Sequence, residues 1–185
     1  GTERFINELA AYLAGRGHDV TIISSKPGKK EVIQSGGVKT INHRRLWHPV
    51  LGRAGVIEAH AFLATSYTAL VREKFDVVQC CSFTDAYAAA LARRVTKTPY
   101  CFWVNGLPPK IKYFRSLSLG GRVFRHAIRS ADEVISLSQF VHDYLAEHYG
   151  RTGIIVPVPF DAHLFRLHES RDLANPEVVC AASLT

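Results

Sequence analysis

The chain has 185 residues, 47% of them hydrophobic, and a formal net charge of +7 at pH 7. This length and apolar content predict a globular domain with its own core and exclude an intrinsically disordered chain, and the lack of any run of about eighteen apolar residues excludes a membrane-spanning helix. The basic charge favours acidic partners such as phosphates, nucleic acid or anionic lipid head groups, but an ordinary basic protein is an equally good interpretation.

The first twenty-five residues predict a glycine turn, a helix and a buried strand. Apolar residues recur at i, i+3, i+4 and i+7 between Ile6 and Leu13, which gives one apolar helical stripe. The β-branched, mostly apolar run over 20–23 is typical of a strand buried on both faces. A helix followed by such a strand is half of a βαβ unit, so a further strand is expected before Gly1. Gly1 and Thr2 would then form the turn at a helix N-terminus, where backbone N–H groups favour an anion.

Strands and helices are predicted to alternate along the rest of the chain. Residues 24–37 are polar and glycine-rich and predict a loop, and residues 38–41 predict a short edge strand. The further predicted elements are a helix over 54–74, a strand over 77–81, a helix over 85–95 capped by Thr84, a strand over 100–104, a helix over 121–130, a strand over 133–137, a helix from Ser138 to Tyr149, and short strands over 154–156 and 177–182. This alternation predicts an α/β fold with a parallel sheet that has helices on both faces.

Ligands of such a sheet bind beyond the carboxyl ends of its strands. In this chain those ends are Ser24-Ser25, Cys81-Ser82, Asn105-Gly106 and Ser138-Gln139. Asn-Gly is also a common turn pair, so Asn105 has a structural interpretation beside the functional one.

The cysteine pattern argues against a metal site. All four cysteines fall in predicted strands: Cys80, Cys81, Cys101 and Cys180. Free cysteine in a strand behaves as a small buried hydrophobe, and this usage suits a reducing cytoplasm. Adjacent cysteines cannot form a C-x-x-C metal knuckle, and the sequence has no H-E-x-x-H pattern, so no metal is expected. No G-x-G-x-x-G motif follows a strand, which argues against a dinucleotide-dependent oxidoreductase.

One predicted helix carries a basic stripe. Its members fall at i, i+3, i+4 and i+7: Arg122, Arg125, His126 and Arg129. Such a stripe is usually a solvated face, and the alternative is contact with a phosphorylated or membrane-borne acceptor.

Five short motifs occur in the order and spacing of one enzyme family. They are Gly1-Thr2-Glu3 with Gly15-Arg16-Gly17-His18-Asp19-Val20, Phe75-Asp76-Val77-Val78, Thr98-Pro99 with the strand to Asn105-Gly106, Ala131-Asp132-Glu133-Val134-Ile135-Ser136-Leu137-Ser138, and Ile154-Ile155-Val156-Pro157 through Asp161 to Phe165. Each motif alone is weak, but together they resemble the N-terminal domain of GT-B glycosyltransferases. The resemblance is to the retaining, nucleotide-sugar-dependent enzymes of glycosyltransferase family 4.

The resemblance implies a Rossmann-like half of a GT-B fold whose first strand, before Gly1, is missing. It implies an acceptor-side domain over residues 1–172 and the start of a donor-binding domain over residues 173–185. It also implies these site residues: Gly1 and Thr2 for the donor phosphate, Cys81, Ser82, Gly106 and Ser138 for the acceptor, and Asn105 as the candidate catalytic residue. Asn105 stands where the family often has histidine, and an asparagine cannot act as a general base, although it can hydrogen-bond a hydroxyl or a phosphate.

Two more positions depart from the family pattern. The family often has histidine at or near Cys81, and it has Asn-Gly where this chain has Val158-Pro159. The acceptor type and the catalytic detail therefore stay open at the level of sequence.

The function that the resemblance implies is transfer of a sugar from a nucleotide-diphosphate sugar to a hydroxyl acceptor, such as a glycan or a lipid-linked acceptor, with retention of configuration. No cofactor, metal or nucleic-acid partner is expected, and a fragment of this length is expected to be inactive alone. The expected location is the cytoplasm, with peripheral contact at the inner face of the membrane through basic surface. The alternatives are a nucleotide-sugar 2-epimerase of the same fold and a non-catalytic Rossmann-type binding domain.

Overall fold

A computed structural model of the chain describes residues 2–44, 56–106 and 119–158. Its elements, in chain order, are α1 (Thr2–Gly15), β1 (Val20–Lys26), β2 (Glu31–Ser35), β3 (Val38–Arg44), α2 (Val56–Arg72), β4 (Val78–Cys80), α3 (Phe83–Thr96), β5 (Tyr100–Val104), α4 (Leu119–Ser130), β6 (Glu133–Ser136), α5 (Gln139–Tyr149) and β7 (Ile154–Ile155). Gly1, the predicted strand over 177–182 and the predicted domain boundary after residue 172 lie outside the described residues.

The strands form two hydrogen-bonded sheets. The larger sheet has the order β4-β5-β6-β7, and all of its strands are parallel. The smaller sheet has the order β1-β3-β2, in which β1 is parallel to β3 and β2 is antiparallel to β3. The predicted α/β fold with a parallel sheet is therefore confirmed. Within the described parts of the chain, β1 and β4 are edge strands, because each is hydrogen-bonded to one neighbouring strand.

The prediction of a loop over residues 24–37 was wrong. Strand β1 continues to Lys26, and β2 forms a hairpin with β3. The turn of that hairpin is Gly36-Gly37, and both glycines have positive φ (57° and 78°), which matches the two-residue turn that suits twisted antiparallel strands. Strand β3 consequently lies in the middle of its sheet and not at the predicted edge.

The core lies between the larger sheet and helices α3, α4 and α5. In β5 the side chains of Tyr100, Phe102 and Val104 are fully buried against these helices, and they alternate with side chains on the other face of the sheet. The ring of Phe102 meets Phe124 of α4 edge-on, with centroids 6.1 Å apart. Helix α3 contributes five buried alanines, and these small side chains let it lie close to the sheet: Ala86, Ala88, Ala89, Ala90 and Ala92.

Helix α1 covers the opposite face of the same sheet. Its Phe5 ring lies on Trp103, whose side chain points away from the Phe102 side of β5 because successive strand side chains alternate. The centroids of the two rings are 4.1 Å apart, and Trp103 is only 2% exposed. Helices on both faces of the sheet were predicted, and this contact confirms it.

Two helices that begin at the carboxyl edge of the sheet start at serine caps. The Ser138 hydroxyl of α5 accepts a hydrogen bond from the Val141 N–H, and α5 ends at Gly150, which is left-handed with φ 62°. Both ends of α5 were predicted. The predicted cap of α3, Thr84, was wrong, because Ser82 occupies that position and α3 begins at Phe83.

Candidate functional site

Three parallel strands bring the predicted site residues to one edge of the larger sheet. Cys80 of β4 pairs with Phe102 of β5, and Val104 of β5 pairs with Ser136 of β6, so the three strands end at the same edge. The residues that follow these ends are the predicted ones: Cys81 and Ser82, Asn105 and Gly106, and Ser138. Gly1, predicted with Thr2 to bind phosphate, lies outside the described residues.

The first turn of α1 lies against the end of β5. The side-chain Nδ2 of Asn105 donates a hydrogen bond to the Thr2 hydroxyl oxygen at 2.9 Å, although the two residues are 103 positions apart. The second contact of this junction is the one between Phe5 and Trp103. Thr2 and Phe5 are i, i+3 on one face of α1, and Asn105 follows Trp103 by two residues, directly after the end of β5, so both contacts belong to one helix–strand junction.

This junction brings a helix N-terminus to the carboxyl edge of a parallel sheet. The backbone N–H groups of the first helical turn have no partner inside the helix, and the helix dipole adds partial positive charge there. Such a terminus attracts phosphate groups. Thr2 and Asn105 are thus two predicted site residues that the structure joins by a direct contact.

The turn between β4 and α3 is fixed by one carboxylate. Asp85 accepts hydrogen bonds from the N–H groups of Cys81 (3.0 Å), Ser82 (2.7 Å) and Ala86 (3.0 Å), and from the Ser82 hydroxyl (2.6 Å). The Ser82 hydroxyl in turn caps α3, since it accepts from the Asp85 N–H. The predicted acceptor residue Ser82 therefore already uses its hydroxyl within the chain.

Asp85 is a residue of this edge that the sequence analysis missed. The signal was present as S-x-x-D over residues 82–85, a variant of the capping box, but the predicted cap was Thr84 and the predicted helix began at Asp85. Burial raises the pKa of Asp85, and its hydrogen bonds to Ser82, Cys81 and Ala86 act in the opposite direction.

The thiol of Cys81 is held in its protonated form. Burial, followed by the nearby charge of Asp85, raises the pKa of Cys81 to about 12. A thiol with that pKa is not a nucleophile at neutral pH, because the thiolate is the reactive species. Cys81 can contribute a weak hydrogen bond or a packing surface to a bound acceptor, and no covalent chemistry.

Comparison with known proteins identifies the family. The sequence model of Glycosyltransferase Family 4 matches residues 1–161, which is most of the chain. The chain belongs to glycosyltransferase family 4. No curated protein sequence matches it.

A solved structure supports the fold of this family 4 chain. Sucrose-phosphate synthase from Thermosynechococcus elongatus is similar to it, with a TM-score of 0.69 and 19% sequence identity. The likeness covers 89% of this chain and 44% of the synthase, so this chain spans less than half the length of that protein. At this identity the likeness bears on the fold, and it agrees with the predicted Rossmann-like half of a GT-B fold.

The basic stripe of the family 4 chain contacts neighbouring helices. The Arg125 guanidinium lies over the Tyr149 ring, 5.5 Å from its centroid, and the Arg129 Nε donates to the Tyr149 carbonyl oxygen at 3.4 Å. The His126 ring lies 3.4 Å from the guanidinium of Arg94, and its pKa is lowered by burial first and by that charge second. Part of the stripe therefore stabilises the packing of α4 on α3 and α5.

Neither a metal-binding cluster nor a membrane-spanning helix is found in the described residues of the family 4 chain. Within the described parts of the chain, no three His, Cys, Asp or Glu side chains are grouped closely enough to hold a metal ion. No helix in residues 2–44, 56–106 or 119–158 is long and apolar enough to span a bilayer.

Proposed function

We propose that this chain is the acceptor-side domain of a glycosyltransferase that transfers a sugar from a nucleotide-diphosphate sugar to a hydroxyl acceptor with retention of configuration. Membership of glycosyltransferase family 4 supports the reaction class. The contact between Thr2 and Asn105 carries the proposal, because it brings a helix N-terminus beside a polar residue that follows β5.

The main chemical task of such an enzyme is to stabilise the leaving diphosphate. Negative charge grows on the diphosphate as the bond to the sugar breaks. The N–H groups at the start of α1 are fixed donors that stabilise this charge without reorganising. In the proposed reaction they act together with positive charge from a donor-binding domain.

The acceptor hydroxyl must also lose a proton. Among the described residues of this edge, Asn105 and Ser138 are not bases at neutral pH, Cys81 keeps its proton, and the Asp85 carboxylate is engaged by four donors. In the proposed reaction the proton therefore goes to an oxygen of the leaving diphosphate, which becomes more basic as its bond to the sugar breaks.

The experiment uses the protein as its gene encodes it. UDP-glucose, ADP-glucose and GDP-mannose are each supplied with and without a panel of sugar and lipid-linked acceptors, and products are identified by mass spectrometry and by NMR of the anomeric centre. A new glycoside with retained configuration supports the proposal. Epimerised or hydrolysed donor without a glycoside supports the epimerase alternative, and binding without turnover supports the binding-domain alternative. In the same assay we expect residues 1–185 alone to be inactive.

Asn105→Ala tests the site in the same assay. Because Asn105 is proposed to contact the reacting sugar and acceptor, the variant is expected to lower kcat by more than it weakens donor binding. Asn7→Ala makes the same change at an exposed position of α1 and is expected to behave as wild type. An unchanged kcat in Asn105→Ala would show that Asn105 is only a turn residue.

A further inference from the structure

Two exposed phenylalanines lie at the carboxyl edge of the larger sheet. Phe83 is the first residue of α3, which follows β4, and Phe140 is the second residue of α5, which follows β6. Strand β5 lies between β4 and β6, so the two helix starts flank the end of β5 at Asn105 and Gly106. Neighbouring strands are about 4.8 Å apart, which places β4 and β6 about 10 Å from each other.

The exposure of Phe140 stands out among the described aromatic side chains. In the parts of the chain that the structure describes, three aromatic side chains are exposed, namely Tyr12, Phe83 and Phe140, and Phe140 is the most exposed of them at 68%. The guanidinium of Arg16 lies over the Tyr12 ring, 4.9 Å from its centroid, and the Tyr12 hydroxyl can bond to water. A phenyl ring has no polar group, so its contact with water is unfavourable.

A helix start offers one structural role for an exposed apolar residue, and Phe140 does not fill it. In the hydrophobic staple, the residue before the cap packs on the fourth residue of the helix. The cap of α5 is Ser138, so the staple position is Leu137, which packs against the core. Val141, directly after Phe140, is buried in the same core. The helix therefore has its apolar anchors without the Phe140 ring.

We propose that Phe83 and Phe140 bind an apolar group of the acceptor, such as an alkyl or isoprenyl chain. This inference rests on the proposed function and deepens it, because it narrows the acceptor to an amphiphile, a hydroxyl compound with a hydrophobic part. Ligands of a parallel sheet bind beyond the carboxyl ends of its strands, which is where both residues lie. Phenylalanine lacks the polar handle with which tyrosine and tryptophan suit the hydroxyl-bearing rim of a sugar, so the ring chemistry favours a purely apolar group.

The probes are octyl and methyl glycosides of one sugar, because the two differ only in the alkyl chain. Pairs of β-D-glucosides, β-D-galactosides and α-D-mannosides are titrated into the full-length protein by calorimetry, with each octyl compound below its critical micelle concentration. The readout is the octyl preference, the Kd of the methyl glycoside divided by the Kd of the octyl glycoside. It needs no turnover and is therefore independent of the transfer reaction. We expect an octyl preference of about tenfold or more in the wild-type protein, which corresponds to the burial of about two methylene groups.

Substitutions of the two rings test their role. Phe140→Ala is expected to lower the octyl preference about fivefold, because most of the apolar surface of the side chain is lost. Phe140→Leu keeps an apolar side chain and is expected to stay within about twofold of wild type. Phe83→Ala is expected to lower the preference as well. Circular dichroism checks that each variant keeps the fold.

Tyr12→Ala is the matched control. It removes an exposed aromatic ring from the last turn of α1, about 15 Å along the helix from Thr2 and the carboxyl edge. The variant is expected to leave the octyl preference unchanged.

Several results would overturn the inference. It is wrong if the octyl glycosides bind the wild-type protein no more tightly than the methyl glycosides, or if Tyr12→Ala lowers the octyl preference as much as Phe140→Ala does. An unchanged octyl preference in Phe140→Ala, together with a lower free energy of unfolding, would mean that another part of the protein covers the ring. An unchanged preference together with lost binding to phosphatidylcholine vesicles would assign the ring to a membrane surface.

These outcomes leave the proposed function standing, since a glycoside formed from a polar acceptor would still establish sugar transfer. If the full-length protein forms no glycoside from any acceptor, the proposed function fails whatever the octyl preference is, and the assignment of the two rings to an acceptor fails with it.

Discussion

At the scale of single residues, Asp85 combines burial with four hydrogen bonds on one carboxylate. Asp85→Asn replaces one carboxylate oxygen with an NH₂ group, which must then face an N–H or hydroxyl donor of the β4–α3 turn. We expect this clash to lower the free energy of unfolding at pH 7 by about 1–3 kcal/mol. Urea denaturation measures the change, and Asp19→Asn, at an exposed position, is the control. Equal stabilities of the two variants would contradict this view of the turn.

The pH dependence of Asp85 follows from its raised pKa. The folded state binds the proton of this group more tightly than the unfolded state, whose pKa lies near 3.8. The contribution of protonated Asp85 to the free energy of unfolding is therefore complete below pH 3.8, and it is lost as the pH rises through the folded-state pKa. We expect Asp85→Asn to remove this slope, and the control variant to keep it, in denaturation curves measured at half-unit steps from pH 3.5 upwards.

His43 gives the stability a pH dependence of the opposite sign. Burial, followed by the charge of Lys30, lowers the pKa of His43 below 6.5, and its Nε2 has no hydrogen-bond partner among the described residues. The unfolded state therefore binds more protons between the two pKa values, and stability is lost as the pH falls from 6.5 through the folded-state pKa. We expect His43→Gln to lose less stability than wild type between pH 7.5 and 5.5. His18→Gln, at an exposed position, should follow wild type.

At the scale of elements, the packing of β7 on β6 depends on Gly153. A Cβ placed at this position would lie 1.9 Å from the Val134 carbonyl oxygen and 2.7 Å from its carbon, and backbone atoms cannot move aside as a flexible side chain can. We expect Gly153→Ala to cost about 1–3 kcal/mol. Hydrogen exchange at Val156, whose N–H donates to the Ser136 carbonyl, should accelerate. Gly15→Ala, where a Cβ meets open space, should not accelerate it.

The elements differ in how far the sequence predicts them. Helix α5 was predicted at both ends because Ser138 and Gly150 are strong local signals for a cap and a stop. Strand β2 was missed because it is short and exposed throughout, so no alternation of apolar and polar residues marks it.

The candidate site shows the same limit. Resemblance to the family placed Thr2 and Asn105 in it, but their mutual hydrogen bond joins positions 103 residues apart and depends on the packing of α1 across the sheet. The role of Asp85 was hidden for another reason, since the helix start was misplaced by a few residues.

At the scale of the whole molecule, the net charge of +7 is not all available to partners. Arg129 donates to the last carbonyl of α5, where a cation also interacts favourably with the helix dipole. We expect Arg129→Gln to lower the free energy of unfolding by about 0.5–1 kcal/mol. Arg122→Gln, at an exposed position of the same helix, is expected to stay within about 0.5 kcal/mol of wild type. Equal losses would mean that Arg129 has no structural role.

Helix α1 also links the two sheets, since it contacts β1 and β3 on one side and Trp103 of β5 on the other. The sequence has two tryptophans, so Trp47→Phe leaves Trp103, two residues from Asn105, as its single tryptophan, whose emission is excited selectively at 295 nm or above, at about the wavelength where tyrosine no longer absorbs. Its emission then reports whether α1 is seated on the sheet. Phe5→Ala should shift that emission to longer wavelength as water reaches the indole. The candidate site therefore contains its own optical probe, and ligand binding can be followed without a label.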